Sequence, residues 1–241
     1  MDVTRAMILA AGRGERLRPL TENTPKPLVR VAGRCLIDYA IDTCRKAGLT
    51  DVIINLHHLG DQIREHLGDG SQLGVRVSYS EEMTLQGSGG GIRDAQALLE
   101  GAPFVTLNSD TIIDIDLGPV LAAHRKRKAS VTLVLRKDPE MEKFGLVQLE
   151  GDNRVGAFLD TQRPGAGETL EPYMYTGVQV IDPEIFSYMP KTGPFSITQV
   201  TYPDMLMAGR PLYGYPFTGP WLTVGTPEEL KAAERRLRSE T

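Results

Sequence analysis

Long apolar runs, surplus positive charge and cysteine are what this 241-residue chain has little of. No stretch approaches the roughly eighteen uninterrupted apolar residues of a membrane-spanning helix. Basic residues number 27 against 31 acidic ones, a formal net charge of −4 with histidine neutral. That balance excludes a nucleic-acid binder working through bulk charge and a polybasic membrane-surface protein. Cys35 and Cys44 are the only cysteines. They lack both C-x-x-C spacing and a histidine nearby in sequence, so neither zinc nor dithiol redox chemistry is indicated, and a reducing compartment is expected. The opening Met-Asp-Val-Thr-Arg runs directly into a strand-like segment without the apolar stretch of a signal peptide. A cytoplasmic protein is the expectation. Aromatic residues make up only 6%, whereas Gly (25) and Pro (16) are numerous, so loops are many and shaped. The 41% hydrophobic content suffices for a buried core at this length.

Short apolar runs alternate with helix-like stretches through the first part of the chain. Strands are expected at residues 6–11, Asp51–Leu56, 75–80, 104–107 and 130–135, and helices at 36–47, Gly60–Leu67, 89–99 and 118–128. That alternation implies βαβ units and a mostly parallel sheet covered on both faces. After Arg136 the pattern changes to period two, with segments 145–149 and 154–159 flanking a Gly151-Asp152-Asn153 turn. A strand at 175–181, a helix over 197–207, a strand at 212–215 and a final helix from Pro227 to about Arg238 complete the reading. The expected architecture is α/β: a Rossmann-like, doubly wound, mostly parallel sheet with an antiparallel extension. One domain is expected over residues 1–241, with 1–135 as one half and 136–241 as the other.

The most informative segment follows the first strand: Leu9-Ala10-Ala11-Gly12-Arg13-Gly14-Glu15-Arg16-Leu17-Arg18-Pro19-Leu20-Thr21, and then Pro25-Lys26-Pro27-Leu28. Two glycines after a strand let backbone N–H groups approach phosphate oxygens. Arg13, Arg16, Arg18 and Lys26 concentrate positive charge in a chain that is negative overall. Such a cluster calls for an anionic partner, and a polyphosphate fits. The segment is neither a Walker loop nor a dinucleotide fingerprint, because G-x-x-x-x-G-K-[ST] and the third glycine of G-x-G-x-x-G are both missing.

Taken whole, the segment resembles the signature of the sugar-1-phosphate nucleotidylyltransferases, G-x-G-x-R-[LM]-x-P-L-T followed by P-K-P. Gly12, Gly14, Arg16, Leu17, Pro19, Leu20, Thr21, Pro25, Lys26 and Pro27 all match. The resemblance implies an NTP and a sugar 1-phosphate as substrates, Mg²⁺ as cofactor, and a GT-A-like fold whose extension binds the acceptor. It implies that Arg16 holds the β,γ-phosphates and that Lys26 serves the α-phosphate under attack and the incoming sugar phosphate. Leu9, Ala11, Gly12, Arg13 and Gly14 complete the implied nucleotide contacts. The resemblance also admits a homo-oligomer, with no nucleic-acid or membrane partner.

Three further segments fit the same resemblance. Glu82-Met83-Thr84-Leu85-Gln86-Gly87-Ser88-Gly89-Gly90-Gly91-Ile92 is similar to the family's base-binding segment, with Glu82, Gly87 and Ser88 as candidates. A carboxylate at Glu82 accepts from the N1–H and amino group of guanine, which tilts the base toward GTP over UTP. Asn108-Ser109-Asp110 follows a strand, where doubly wound sheets place their ligands, and resembles the family's N-G-D, whose aspartate binds Mg²⁺. The second metal carboxylate normally lies in W-x-D-x-G-T-P, but this chain reads Trp221-Leu222-Thr223-Val224-Gly225-Thr226-Pro227. Thr223 therefore stands at a metal position as a weak neutral ligand, with water, the NTP phosphates, Asp114 or Asp160 as compensating groups.

In the second half, Tyr173-Met174-Tyr175-Thr176-Gly177-Val178 resembles the family's sugar-contacting strand, with Thr176 and Gly177 as candidates. Asp160 and Arg163 stand near the family's F-x-E-K-P and are assigned to the sugar hydroxyls and the sugar phosphate. The implied sugar is of hexose, heptose or N-acetylmuramate type. A catalytically silent nucleotide-sugar-binding paralogue, weakened by Thr223, is the alternative.

Overall fold

The computed structural model describes residues 3–139, 141 and 145–239. In chain order these include β1 (Arg5–Leu9), β2 (Arg30–Val31), β3 (Arg34–Cys35), α1 (Leu36–Lys46), β4 (Asp51–Leu56), α2 (Gly60–Leu67) and β5 (Arg76–Glu81). Then come α3 (Gly87–Asp94), α4 (Gln96–Leu99), β6 (Phe104–Asn108), β7 (Thr111–Ile113), α5 (Leu117–Arg127) and β8 (Val131–Arg136). The remainder comprises β9 (Leu146–Leu149), β10 (Val155–Phe158), β11 (Thr161–Gln162), β12 (Glu171–Ile181), α6 (Tyr202–Met207), β13 (Leu212–Pro216), β14 (Trp221–Thr223) and α7 (Pro227–Arg238).

The chain divides into two compact units. The first in sequence holds Thr4–Leu85, Leu107–Asp116 and the segment from Gly219 onward. In it β1 pairs parallel with β4 and β4 with β5, as expected of βαβ units. The interior of β1 and all of β4 after Asp51 are buried, as their mostly apolar runs require. Helix α1 buries Leu36, Ile37, Ala40, Ile41 and Cys44, and the chain leaves it through Gly48 at φ +74°. Leu17, Val29, Val31, Leu36, Ile112, Val224 and Ala233 form one buried cluster, onto which Leu222, Leu230 and Leu237 pack. Helix α7 starts on a capping box, Thr226 accepting from the Glu229 N–H while Glu229 reaches back. Strands β7 and β14, too short to show a period, pair antiparallel with Thr111 opposite Thr223.

The second unit holds Gln86–Thr106 and Leu117–Thr218. Here β9, β10, β11 and β12 pair antiparallel in the order β11-β10-β9-β12, as period-two patterning predicts. Strand β8 pairs antiparallel with β12 and parallel with β13. Two helical expectations are corrected. The helix expected over 89–99 starts at Gly87 and divides into α3 and α4 around Ala95. The helix expected over 197–207 opens as a π-turn, Ile197–Thr201, before α6. Pro203 sits in the first turn of α6, where its missing N–H removes the bond that would have continued a regular helix upstream. The α/β expectation holds, with a mostly parallel sheet. No helix among the described residues is long and apolar enough to cross a membrane.

Candidate active site

Within the first unit, the carboxyl ends of the parallel strands carry the chemistry-bearing residues. The glycine loop leaves β1, Asn55 is the penultimate residue of β4, Glu82 follows β5 and Asp110 follows β6. Gly14 adopts φ +64°, and a Cβ there would stand 3.0 Å from both the Cβ of Lys26 and the Cγ2 of Thr21. Glycine is required here twice over, for the left-handed backbone and for the close approach of the lysine segment. The buried Thr21 hydroxyl donates to the Gly14 carbonyl at 2.8 Å and locks the turn. Gly12 differs: nothing lies within 4 Å of where its Cβ would be. Packing does not demand that glycine, and its exposed face leaves room for a ligand to approach the backbone.

Lys26 Nζ donates to Asp110 Oδ2 at 2.5 Å, with the two side chains 12% and 28% exposed. Thr223 lies beside this pair: its strand partner is Thr111, and the N–H of Val224 donates to the Asp110 carbonyl at 3.0 Å. The fold therefore brings Lys26, Asp110 and Thr223 together from three distant segments. Arg16 joins them through Gly225. A Cβ on Gly225 would stand 2.6 Å from Arg16 Nη2 and 3.0 Å from Glu229 Oε2. The glycine of this motif makes space for the guanidinium. Glu229 accepts from the N–H groups of Gly225 at 2.5 Å and Thr226 at 3.1 Å, fixing that turn. Leu17, Ile112 and Val224 are all buried in the one cluster, which anchors the neighbouring Arg16, Asp110 and Thr223.

Glu82 is only 5% exposed, and its Oε1 accepts from Asn55 Nδ2 at 2.7 Å. Asn55 Oδ1 in turn accepts from the N–H of Ala10 at 2.7 Å. One buried amide thus ties the Glu82 carboxylate to the start of the glycine loop. His57 Nδ1 contacts the Glu82 carbonyl at 2.9 Å, a structural role.

Leu9 ends β1, and Ala11 and Arg13 lie in the glycine loop of the first unit, whereas Gly87, Ser88, Thr176, Gly177, Asp160 and Arg163 belong to the second unit. A Cβ on Gly87 (φ +72°) would meet the Phe195 carbonyl oxygen at 2.6 Å, and one on Gly89 would fall 2.1 Å from the Phe195 ring. The glycine run thus has a packing cause of its own. Ser88 Oγ accepts from the N–H of Ile197 at 3.1 Å. Thr176 is 1% exposed and donates to the Val134 carbonyl at 2.8 Å. It lies where the β8–β12 register shifts, between Tyr175 and Gln179, and Gly177 there has φ +89°. Such a bulge re-aims the backbone of the strand it interrupts. Asp160 is exposed in the turn before β11. Arg163 pairs with Glu150 at 2.7 Å.

With this geometry established, comparison with known proteins decides the family. The family model described as nucleotidyl transferase matches residues 5–240. The chain belongs to that family. Among its relatives is the N-acetylmuramate alpha-1-phosphate uridylyltransferase of Neisseria meningitidis, 38% identical over 95% of this chain and 96% of that protein. The mannose-1-phosphate guanylyltransferase of Mycobacterium tuberculosis is 31% identical over 93% of this chain, which spans 62% of that protein's length. The fold matches that of UDP-glucose pyrophosphorylase complexed with UDP-glucose, with a TM-score of 0.81 at 18% identity over the whole of both chains. By these relatives the chain stands among the sugar-1-phosphate nucleotidylyltransferases.

In this nucleotidyl transferase, three residues of the site escaped sequence reading: Asn55, Gly225 and Glu229. Asn55 had a signal, as the one polar side chain inside the apolar run Val52–Leu56. Gly225 had only its place in the Trp221–Pro227 segment, and Glu229 only its capping-box spacing from Thr226.

Proposed function

We propose that the chain transfers a nucleotidyl group from an NTP to a sugar 1-phosphate, releasing pyrophosphate, with Mg²⁺ as the divalent cation. The observation that carries this reading is the convergence of Lys26, Asp110 and the Arg16–Gly225 contact beside a glycine loop whose Gly12 face is open. An oxygen of the sugar phosphate bonds to the α-phosphorus of the NTP. The α-phosphorus–oxygen bond to pyrophosphate breaks, and its electron pair leaves with pyrophosphate. The attacking group is already anionic near neutral pH, so no general base is needed. Arg16 holds the β,γ-phosphates, and Leu9, Ala11, Gly12, Arg13 and Gly14 complete the nucleotide contacts. Lys26 neutralises charge building at the α-phosphoryl group. On the acceptor side, Asp160 and Gly177 address sugar hydroxyls. Thr176 shapes the strand there, and Arg163 addresses the phosphate.

The donor set suits Mg²⁺ held chiefly by phosphate oxygens. Asp110 supplies one carboxylate and Thr223 a neighbouring hydroxyl-bearing residue, all hard oxygen donors. When bound, Mg²⁺ neutralises triphosphate charge and polarises the reacting phosphoryl group.

For the substrates, we take UTP and an N-acetylmuramate-type 1-phosphate, supported by the Neisseria relative matched over nearly its full length. A second reading, GTP, is favoured by the buried Glu82 carboxylate, which suits the two adjacent donors of guanine. The test is pyrophosphate release with UTP, GTP and dTTP against N-acetylmuramate, mannose, glucose and heptose 1-phosphates. Release is expected to be fastest with UTP and the N-acetylmuramate compound. Preference for GTP selects the second reading. No release from any pair, together with tight binding of a nucleotide sugar, overturns turnover in favour of a silent paralogue.

A further inference from the structure

Away from these motifs, Cys35, Asp38 and His66 bring a thiol, a carboxylate and an imidazole together. Their donor atoms all lie within 4.8 Å of one another. We propose that this cluster is a binding site for a thiophilic divalent cation of the Zn²⁺ class, clamping the β3–α1 junction to α2.

The sequence gives no hint of it, since Cys35 and His66 are far apart in the chain and in no zinc spacing. Local structure assembles two of the three ligands. Cys35 is the residue before the first turn of α1, and Asp38 lies in that turn. The third arrives by packing: His66 lies in the last turn of α2, and its Nε2 stands 2.8 Å from Asp38 Oδ1. A tetrahedral zinc with Zn–S near 2.3 Å and Zn–N or Zn–O near 2.0–2.1 Å spaces its ligands about 3.4–3.6 Å apart. The His66–Asp38 pair must open by under about an ångström, and the thiol must close by up to about 1.2–1.4 Å, within reach of side-chain rotation. The Cys35 residue is 3% exposed, whereas the Asp38 and His66 side chains are 16% and 30% exposed. A cation can therefore enter from the Asp38–His66 side and keep a fourth position for water.

Donor chemistry favours the same assignment. A bound dication balances one thiolate and one carboxylate, and the thiol proton leaves to solvent on binding. Sulfur and nitrogen donors select a softer ion than the all-oxygen set around Asp110. The site would tie two helices of one unit and is separate from nucleotide chemistry.

Cobalt(II) titration of the chelator-treated full chain tests this. Wild type is expected to develop thiolate-to-cobalt charge-transfer absorption in the near ultraviolet and to melt at a higher temperature with Zn²⁺ than with chelator. Cys35→Ser should lose the band, and His66→Gln should lose both the band and the zinc-dependent melting shift. His66 is partly exposed, so His66→Gln keeps the test decisive should Cys35→Ser fail to fold. Cobalt binding without the thiolate band overturns the proposal, because it places the ion on oxygen ligands. A band of unchanged affinity in His66→Gln overturns it as well.

Discussion

Lys26 Nζ and Asp110 Oδ2 are 2.5 Å apart, although the two residues follow different strands and are separated by most of a unit's sequence. The pair holds the glycine-loop lysine against the aspartate that follows β6. Lys26→Ala is expected to lower kcat by about 10²–10³-fold, the scale for losing one preorganised charge stabiliser. KM for the NTP should change far less. Steady-state pyrophosphate release separates the two, and equal losses in both would mean that Lys26 contributes uniform binding.

Gly225→Ala drives a methyl group into the Arg16 guanidinium, 2.6 Å away. Arg16 is the far end of a flexible side chain, so it moves while the backbone stays. KM for the NTP should rise roughly tenfold, equivalent to about 1.4 kcal/mol, with the melting temperature nearly unchanged. A large fall in melting temperature without a KM effect would refute a positioning role.

Thr223→Asp places a carboxylate next to Asp110. The magnesium concentration for half-maximal rate should fall by about tenfold, because a second carboxylate strengthens a site otherwise carried by phosphate oxygens. An unchanged magnesium titration would show that position 223 does not serve the ion.

Asn55→Ala removes the bridge between the Ala10 N–H and the Glu82 carboxylate. Leaving buried polar groups without this partner should destabilise the chain by about 1–3 kcal/mol, measured by urea unfolding. Discrimination between UTP and GTP should weaken in the same variant, since Glu82 loses its fixed orientation.

His124 is 4% exposed, its Nδ1 lies 2.9 Å from Thr132 Oγ1, and burial lowers its pKa from 6.5 to about 4. The folded state keeps the ring neutral while the unfolded chain protonates it. Its contribution is therefore fully present above pH 6.5 and lost as pH falls toward about 4. The loss totals about 3 kcal/mol. His124→Gln should flatten the urea-unfolding stability profile across that window, and a slope equal to wild type would exclude His124 as its source.

Legibility in the sequence followed from how local each cause is. Strand β4 and helices α2 and α7 start and stop where apolar period, glycine and capping residues say, because those signals act within a few residues. The glycine-loop motif was equally plain. Gly14 is explained by its backbone angle and by Lys26, and the motif contains both residues. The second glycine run was harder. Its spacing suggested a ligand loop, while the structure gives Gly87 and Gly89 a packing cause in Phe195, far along the chain.

Fold class, the glycine loop and its cluster of charged residues were determined by the sequence itself. Periodicity and loop chemistry are local, and the Arg16–Lys26 segment states its charge outright. Only tertiary structure decided that Lys26 meets Asp110, that Gly225 makes room for Arg16, that Asn55 joins Glu82 to the loop, and that His66 reaches Cys35 and Asp38. Each of these is a contact between segments distant in sequence. Their approach is fixed by strand pairing and by the burial of residues such as Leu17, Ile112 and Val224, whose side chains carry no record of their eventual neighbours.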